Sequence, residues 1–170
     1  MLFFILWFQP GIFYAQTPKE YQIKAVFLFN FTQFVEWPAS AFNNDTDPLV
    51  IGIIGKDPFE RFIDQAVEGE KKESHPLEIR RYRDVGDIGN CHIIFINSGD
   101  ANDVGKVLST LNNRSVLTVS DAQNFAASGG MVRFFTHENK IRLQINLRAA
   151  RAAGLTISSK LLRVADVIDD

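Results

Sequence analysis

The chain has 170 residues, 46% of them hydrophobic, which is enough for one substantial core and too little for two. Its 18 basic and 20 acidic side chains leave a net charge of -2 with no long block of like charge, a balance that argues against a polyanion-binding surface and so against nucleic acid. With Cys91 as the single cysteine there is no internal disulfide, and the three histidines, His75, His92 and His137, are too scattered for metal-ligand spacing.

Residues 1–16, M-L-F-F-I-L-W-F-Q-P-G-I-F-Y-A-Q, carry no charge. The run is shorter than the roughly 20 residues of a spanning helix and matches the apolar region of a secretory signal peptide. No Lys or Arg precedes it, and Phe13-Tyr14-Ala15 departs from the small-x-small cleavage rule. The expectation is export, a mature chain beginning near Gln16, and one domain over 17–170.

From Thr17 to Pro38 the spacing predicts an amphipathic helix. Thr17 and Glu20 form a capping box with Pro18 at the first helical position, and Pro38 ends the element. At 100° per residue Ile23, Phe27, Leu28, Phe31, Phe34 and Val35 share an arc, and Gln22, Thr32, Gln33 and Glu36 lie opposite. Phe29 falls within the polar arc. Glu20, Lys24 and Glu36 argue against a membrane span, because charges inside a bilayer are costly.

Leu49 to Ile54 reads as a buried strand closed by Gly55, and Pro58 to Val67 as a helix. Glu68 to Glu73 is a solvated loop, and Pro76 to Tyr82 a strand nearer an edge. His92 to Ile96 is a second buried strand, Ala101 to Leu111 a helix, and Val116 to Val119 a further strand. This alternation is that of right-handed βαβ units. Gly129-Gly130 precedes a strand and not a helix, so it suits a tight turn or a close backbone approach rather than a phosphate cradle. Met131 to Phe135 and Lys140 to Leu147 form a hairpin around Thr136 to Asn139. A short helix, Arg148 to Ala153, ends at Gly154, and Ser158 caps a last helix running through Leu161, Leu162, Ala165 and Ile168. The fold class is α/β: a single three-layer domain with a largely parallel sheet, a C-terminal β-hairpin and flanking helices.

In such a sheet ligands bind at the carboxyl ends of the strands. Those ends are Lys56-Asp57, Asn97-Ser98 and Ser120-Asp121, a cluster suited to a small polar ligand. The same residue types are also turn formers and caps for purely structural reasons. Two enzyme classes fit poorly. A phosphoacceptor site using Asp57, Asp100 or Asp121 needs clustered carboxylates for a divalent cation, yet the central strand ends in Asn97-Ser98. Hydrolysis by Ser120 with His92 or His137 and Asp121 lacks a G-x-S-x-G elbow. No catalytic residue and no cofactor is assigned.

Five phrases, taken together, resemble the YfiR family of exported bacterial proteins. They are Y-Q-I-K-A-V-F-L-F-N-F-T-Q-F-V-E-W-P (21–38), I-G-I-I-G-K-D-P-F (51–59), C-H-I-I-F-I (91–96), L-T-V-S-D-A-Q-N-F-A-A-S-G-G-M-V-R-F (117–134) and I-N-L-R-A-A-R-A-A-G-L-T-I-S-S-K-L-L-R-V-A (145–165). The resemblance implies a periplasmic, non-enzymatic α/β protein that tends to form homodimers. It implies repression of a membrane-bound diguanylate cyclase, or control of a sensor histidine kinase, through the partner's periplasmic region, with effects on cyclic-di-GMP and biofilm formation. Relatives often bridge a first-strand cysteine to the one before the third strand. Here Gly52 stands at the first position and leaves Cys91 alone.

The expected function is that of a periplasmic signalling regulator, with Phe29, Gln33 and Trp37 as candidate contacts to a partner or a second copy. The alternative is a small-molecule-binding module that acts through Lys56, Asp57, Ser98 and Asp121 without a protein partner.

Overall fold

The computed structural model describes residues 18–97 and 101–169. The leader, the Thr17 cap, Ser98 and Asp100 lie outside the described residues. The described residues begin with helix α1 (Pro18–Phe34) and strand β1 (Val35–Glu36), followed by β2 (Leu49–Gly55), α2 (Phe62–Val67), β3 (Lys71–Lys72) and β4 (His75–Tyr82). It continues through β5 (Ile93–Asn97), α3 (Ala101–Thr110), β6 (Leu117–Ser120), β7 (Val132–His137) and β8 (Lys140–Asn146). The last elements are α4 (Leu147–Ala152), β9 (Thr156–Ile157), α5 (Ser159–Leu162) and β10 (Asp166–Ile168).

Eight strands make one sheet in the order β10-β8-β7-β6-β5-β2-β4-β3. Strands β4, β2, β5, β6 and β7 run parallel, as the alternation of strands and helices predicts. Both faces are covered, which is why β2 and β5 are apolar runs without polar alternation. Ile51, Ile53, Ile93, Phe95 and Val119 face α1 and α2, whereas Val50, Ile54, Ile94 and Ile96 face Val104 and Val107 of α3. The result is three layers. The hairpin β7–β8 turns at Glu138 and Asn139, whose φ values of 48° and 58° suit a two-residue turn of the primed type. Gly130 is a close approach: a Cβ there would overlap the Phe125 ring.

Three expectations are corrected. The first helix ends at Phe34, not at Pro38: Val35 and Glu36 pair antiparallel with Ile157 and Thr156, and the Ser158 amide donates to Phe34 O at 2.8 Å. Its inward arc is also rotated. Tyr21, Lys24, Ala25, Leu28, Phe31 and Thr32 are buried, whereas Ile23 is 40% exposed. Thr32 is accommodated because its hydroxyl donates to Phe29 O at 2.7 Å, so this buried donor is satisfied. Finally, Ser158 does cap α5, but that helix stops at Leu162 and the chain turns to lay β10 beside β8. Ala165 and Ile168 are therefore not helical; the open sheet edge competes successfully for a Val-rich segment. Two smaller differences are that α2 begins at Phe62 and that Lys71–Lys72 of the expected loop pairs with β4.

Candidate functional site

At the carboxyl ends of the parallel strands, the polar groups are used to hold the fold. Asp57 accepts from the Phe59 amide at 2.7 Å through Oδ1 and from Arg81 Nε at 2.6 Å through Oδ2. Arg81 also reaches both oxygens of Asp64, at 3.1 and 2.7 Å, and these carboxylate bonds push its guanidinium pKa above the ordinary value. Ser120 is fully buried; its hydroxyl donates to Ile96 O at 2.7 Å and accepts from the Ala122 amide. Asn97 donates through its side-chain amide to Lys56 O, and the Lys56 side chain is exposed. Asp121 turns toward α1, whereas Asn97 lines a cleft on the α3 side, so these two described residues do not face one point. Ser98 lies outside the described residues.

Lys24, read from the sequence as one of the charges that argue against a membrane span, is buried, and its partners explain its position. It is 1% exposed, with Nζ 2.7 Å from Glu20 Oε1 and 2.6 Å from Asp121 Oδ2, and 4.5 Å from the Tyr21 ring centre. The signal was present as the spacing Glu20-Lys24, one turn apart on the face that carries Leu28 and Phe31. Burial and then the Asp121 charge push the Tyr21 hydroxyl above its ordinary pKa. The arrangement ties the first turns of α1 to the end of β6.

From Gln22 to Gln33 the opposite face of α1 carries no charged side chain; the exposed Lys19 lies one turn before it. Gln22, Ile23, Val26, Phe29, Asn30 and Gln33 project outward or sideways over three turns, and Lys24, the one charged residue between Glu20 and Glu36, is buried. Val26 is 53% exposed. Phe29 is half-buried against the core, and Gln33 is exposed with its amide donating to Thr32 Oγ1 at 3.1 Å. Trp37 is half-buried and donates from Nε1 to His92 O at 3.0 Å, so its indole is anchored.

Cys91 is buried against the α3-side core, and burial pushes its thiol up to about 12. A Cβ at position 52 would lie 2.8 Å from Cys91 Sγ and 2.7 Å from the Tyr82 ring, so the glycine makes room for both. Among the described residues no group of three or more His, Cys, Asp or Glu is placed to hold a metal ion. No helix among them is long and apolar enough to cross a membrane.

No curated protein matches the chain. A family model described as YfiR/HmsC-like matches residues 21–166, from the second turn of α1 to the start of β10.

Proposed function

Because the chain belongs to the YfiR/HmsC-like family, a regulatory and non-catalytic family of the periplasm, we propose that it is an exported signalling regulator. It represses a membrane-bound diguanylate cyclase or sensor kinase by binding the partner's periplasmic region, and acts as a homodimer. The observation that carries this reading is the outer face of α1 from Gln22 to Gln33, which has no charged side chain, with Ile23 and Val26 exposed and Phe29 at its margin. Exposed apolar side chains contiguous on one helix are suited to contact with another protein. Control follows from differential binding: the regulator stabilises the inactive partner, and a signal that favours free regulator releases it.

The test is co-expression with a membrane-bound diguanylate cyclase or sensor kinase of the same organism that carries a periplasmic region. Output of the partner falls when the chain is present and recovers when it is deleted. Output that is indifferent to the chain contradicts the reading.

One observation favours a second reading, a small-molecule module. A cleft of about 480 Å³ opens at the ends of β2 and β5, lined by Gly55, Asn97, Arg83 and Lys106. Calorimetry against small polar metabolites with Asn97→Ala as control separates the readings: heat that this variant abolishes supports the module.

A further inference from the structure

Two imidazoles fasten the connection between β1 and β2, residues 37–48, to the sheet. His92 Nε2 lies 3.1 Å from Ala41 O and His75 Nδ1 lies 2.7 Å from Asp47 O, so each ring holds one carbonyl of the connection. Phe42 is stacked between them, its ring centre 3.9 Å from that of His75 and 4.3 Å from that of His92. We propose that this connection is an acid-sensitive latch, which opens when His92 takes up a second proton.

The two rings differ in what a proton does to them. His75 carries a charge without losing the Asp47 bond, because Nδ1–H still donates to the carbonyl. His92 does not have that freedom. Its Nδ1 accepts from the Val50 amide at 3.0 Å, and a proton there turns two donors toward each other. The residue is 3% exposed, so the charge is also stripped of water.

The surroundings leave this conflict standing. Arg80 and His75, both of β4, act against a positive ring, and Asp47 of the connection acts for it. A cavity of about 180 Å³ runs beside the ring, and among the described residues Asp47 and Arg80 are the other charged groups that line it. The charged imidazole turns into that space to reach water. Ala41 O and one face of Phe42 then lose their support together, while Ser74 Oγ and His75 still hold the far part of the segment at Asp45 O and Asp47 O.

Trp37 is tied to the same residue. It donates from Nε1 to His92 O at 3.0 Å with its ring edge-on to the imidazole, the centres 6.2 Å apart. As a regulatory device the latch rests on the proposed function: acid is then a signal that loosens Trp37 beside the α1 face and lowers affinity for the partner. The opening itself involves no partner, so the chain alone tests it.

The experiment is amide hydrogen exchange of the chain between about pH 7.5 and 4.5. Protection of the Ala41, Phe42 and Val50 amides falls by up to about tenfold for each pH unit below about 6.5, as one proton taken up on opening requires, and α1 stays protected. His92→Gln, which keeps a neutral acceptor and donor, removes the dependence, and His75→Gln retains it. Dependence that survives in folded His92→Gln, dependence lost in His75→Gln, or protection lost from α1 in step with the connection overturns the proposal.

Discussion

Lys24 Nζ lies 2.6 Å from Asp121 Oδ2, so a residue in the first turns of α1 is joined to the end of β6 inside the protein. Removing one partner of such a pair costs more than the pair itself contributes, because it strands a desolvated charge. The two ends differ in solvent access: the Lys24 side chain is 2% exposed, and those of Glu20 and Asp121 are 20% and 19% exposed. Asp121→Asn leaves the buried Lys24 with Glu20 as its remaining carboxylate and destabilises by about 1.5 to 3 kcal/mol. Lys24→Met costs less, since the freed carboxylates reach water and the methionine fills the same space. Urea unfolding of the two variants checks the order, and a larger loss for Lys24→Met refutes it.

His92 makes stability depend on pH. Its Nδ1 accepts from the Val50 amide at 3.0 Å and its Nε2 faces Ala41 O at 3.1 Å, so the ring is held neutral with the proton on Nε2. Burial lowers its pKa from 6.5, with smaller electrostatic contributions from His75 and Arg80 in the same direction, while Ala41 O and Asp47 oppose the shift. A lowered histidine pKa means that the unfolded chain binds the proton more tightly. The stabilisation is complete above the unfolded value and is lost as pH falls from about 6.5 toward the lower folded value. Thermal unfolding between about pH 7.5 and 5.5 shows this slope, and His92→Gln flattens it. An equal slope in the variant removes His92 as its cause.

Gly52 leaves no room for a side chain. An alanine Cβ would lie 2.7 Å from Ile94 Cδ1 and the Tyr82 ring and 2.8 Å from Cys91 Sγ. Gly52→Ala destabilises by about 1 to 3 kcal/mol through overpacking. In the native protein the Cys91 thiol stays unreactive toward an aromatic disulfide reagent at neutral pH, because it is buried and its pKa is pushed up to about 12. Denaturant titration of Gly52→Ala and thiol labelling of the native chain check both outcomes.

The sheet was legible because its strands are short apolar runs spaced by helices with clear periodicity. Leu49 to Ile54, His92 to Ile96 and the hairpin at Glu138-Asn139 all lie within strands or turns close to where the pattern puts them. The rotation of α1 was not legible, since Lys24 points inward only because Asp121 is there to meet it, about a hundred residues away in sequence. Strands β1 and β10 are set by the partners they find, Ile157 and the edge of β8, and nothing local marks them. At the strand ends, Asp57 and Ser120 have the residue types of a polar site, yet their hydrogen bonds are to Phe59, Arg81, Ile96 and Ala122. Composition alone does not separate a ligand group from a turn former. The exposed apolar side chains of α1 became visible only when Ile23 and Val26 were placed outside the core.

The central claim is that the uncharged face of α1 contacts the partner, and Val26 is its most exposed apolar side chain. The most direct measurement is the affinity of Val26→Asp for the periplasmic region of the membrane-bound cyclase or kinase whose output the chain lowers on co-expression, with unfolding measured in parallel. The account predicts binding at least about tenfold weaker with stability nearly unchanged, as expected for a charge placed in an apolar contact. Wild-type affinity in a folded Val26→Asp variant would contradict it.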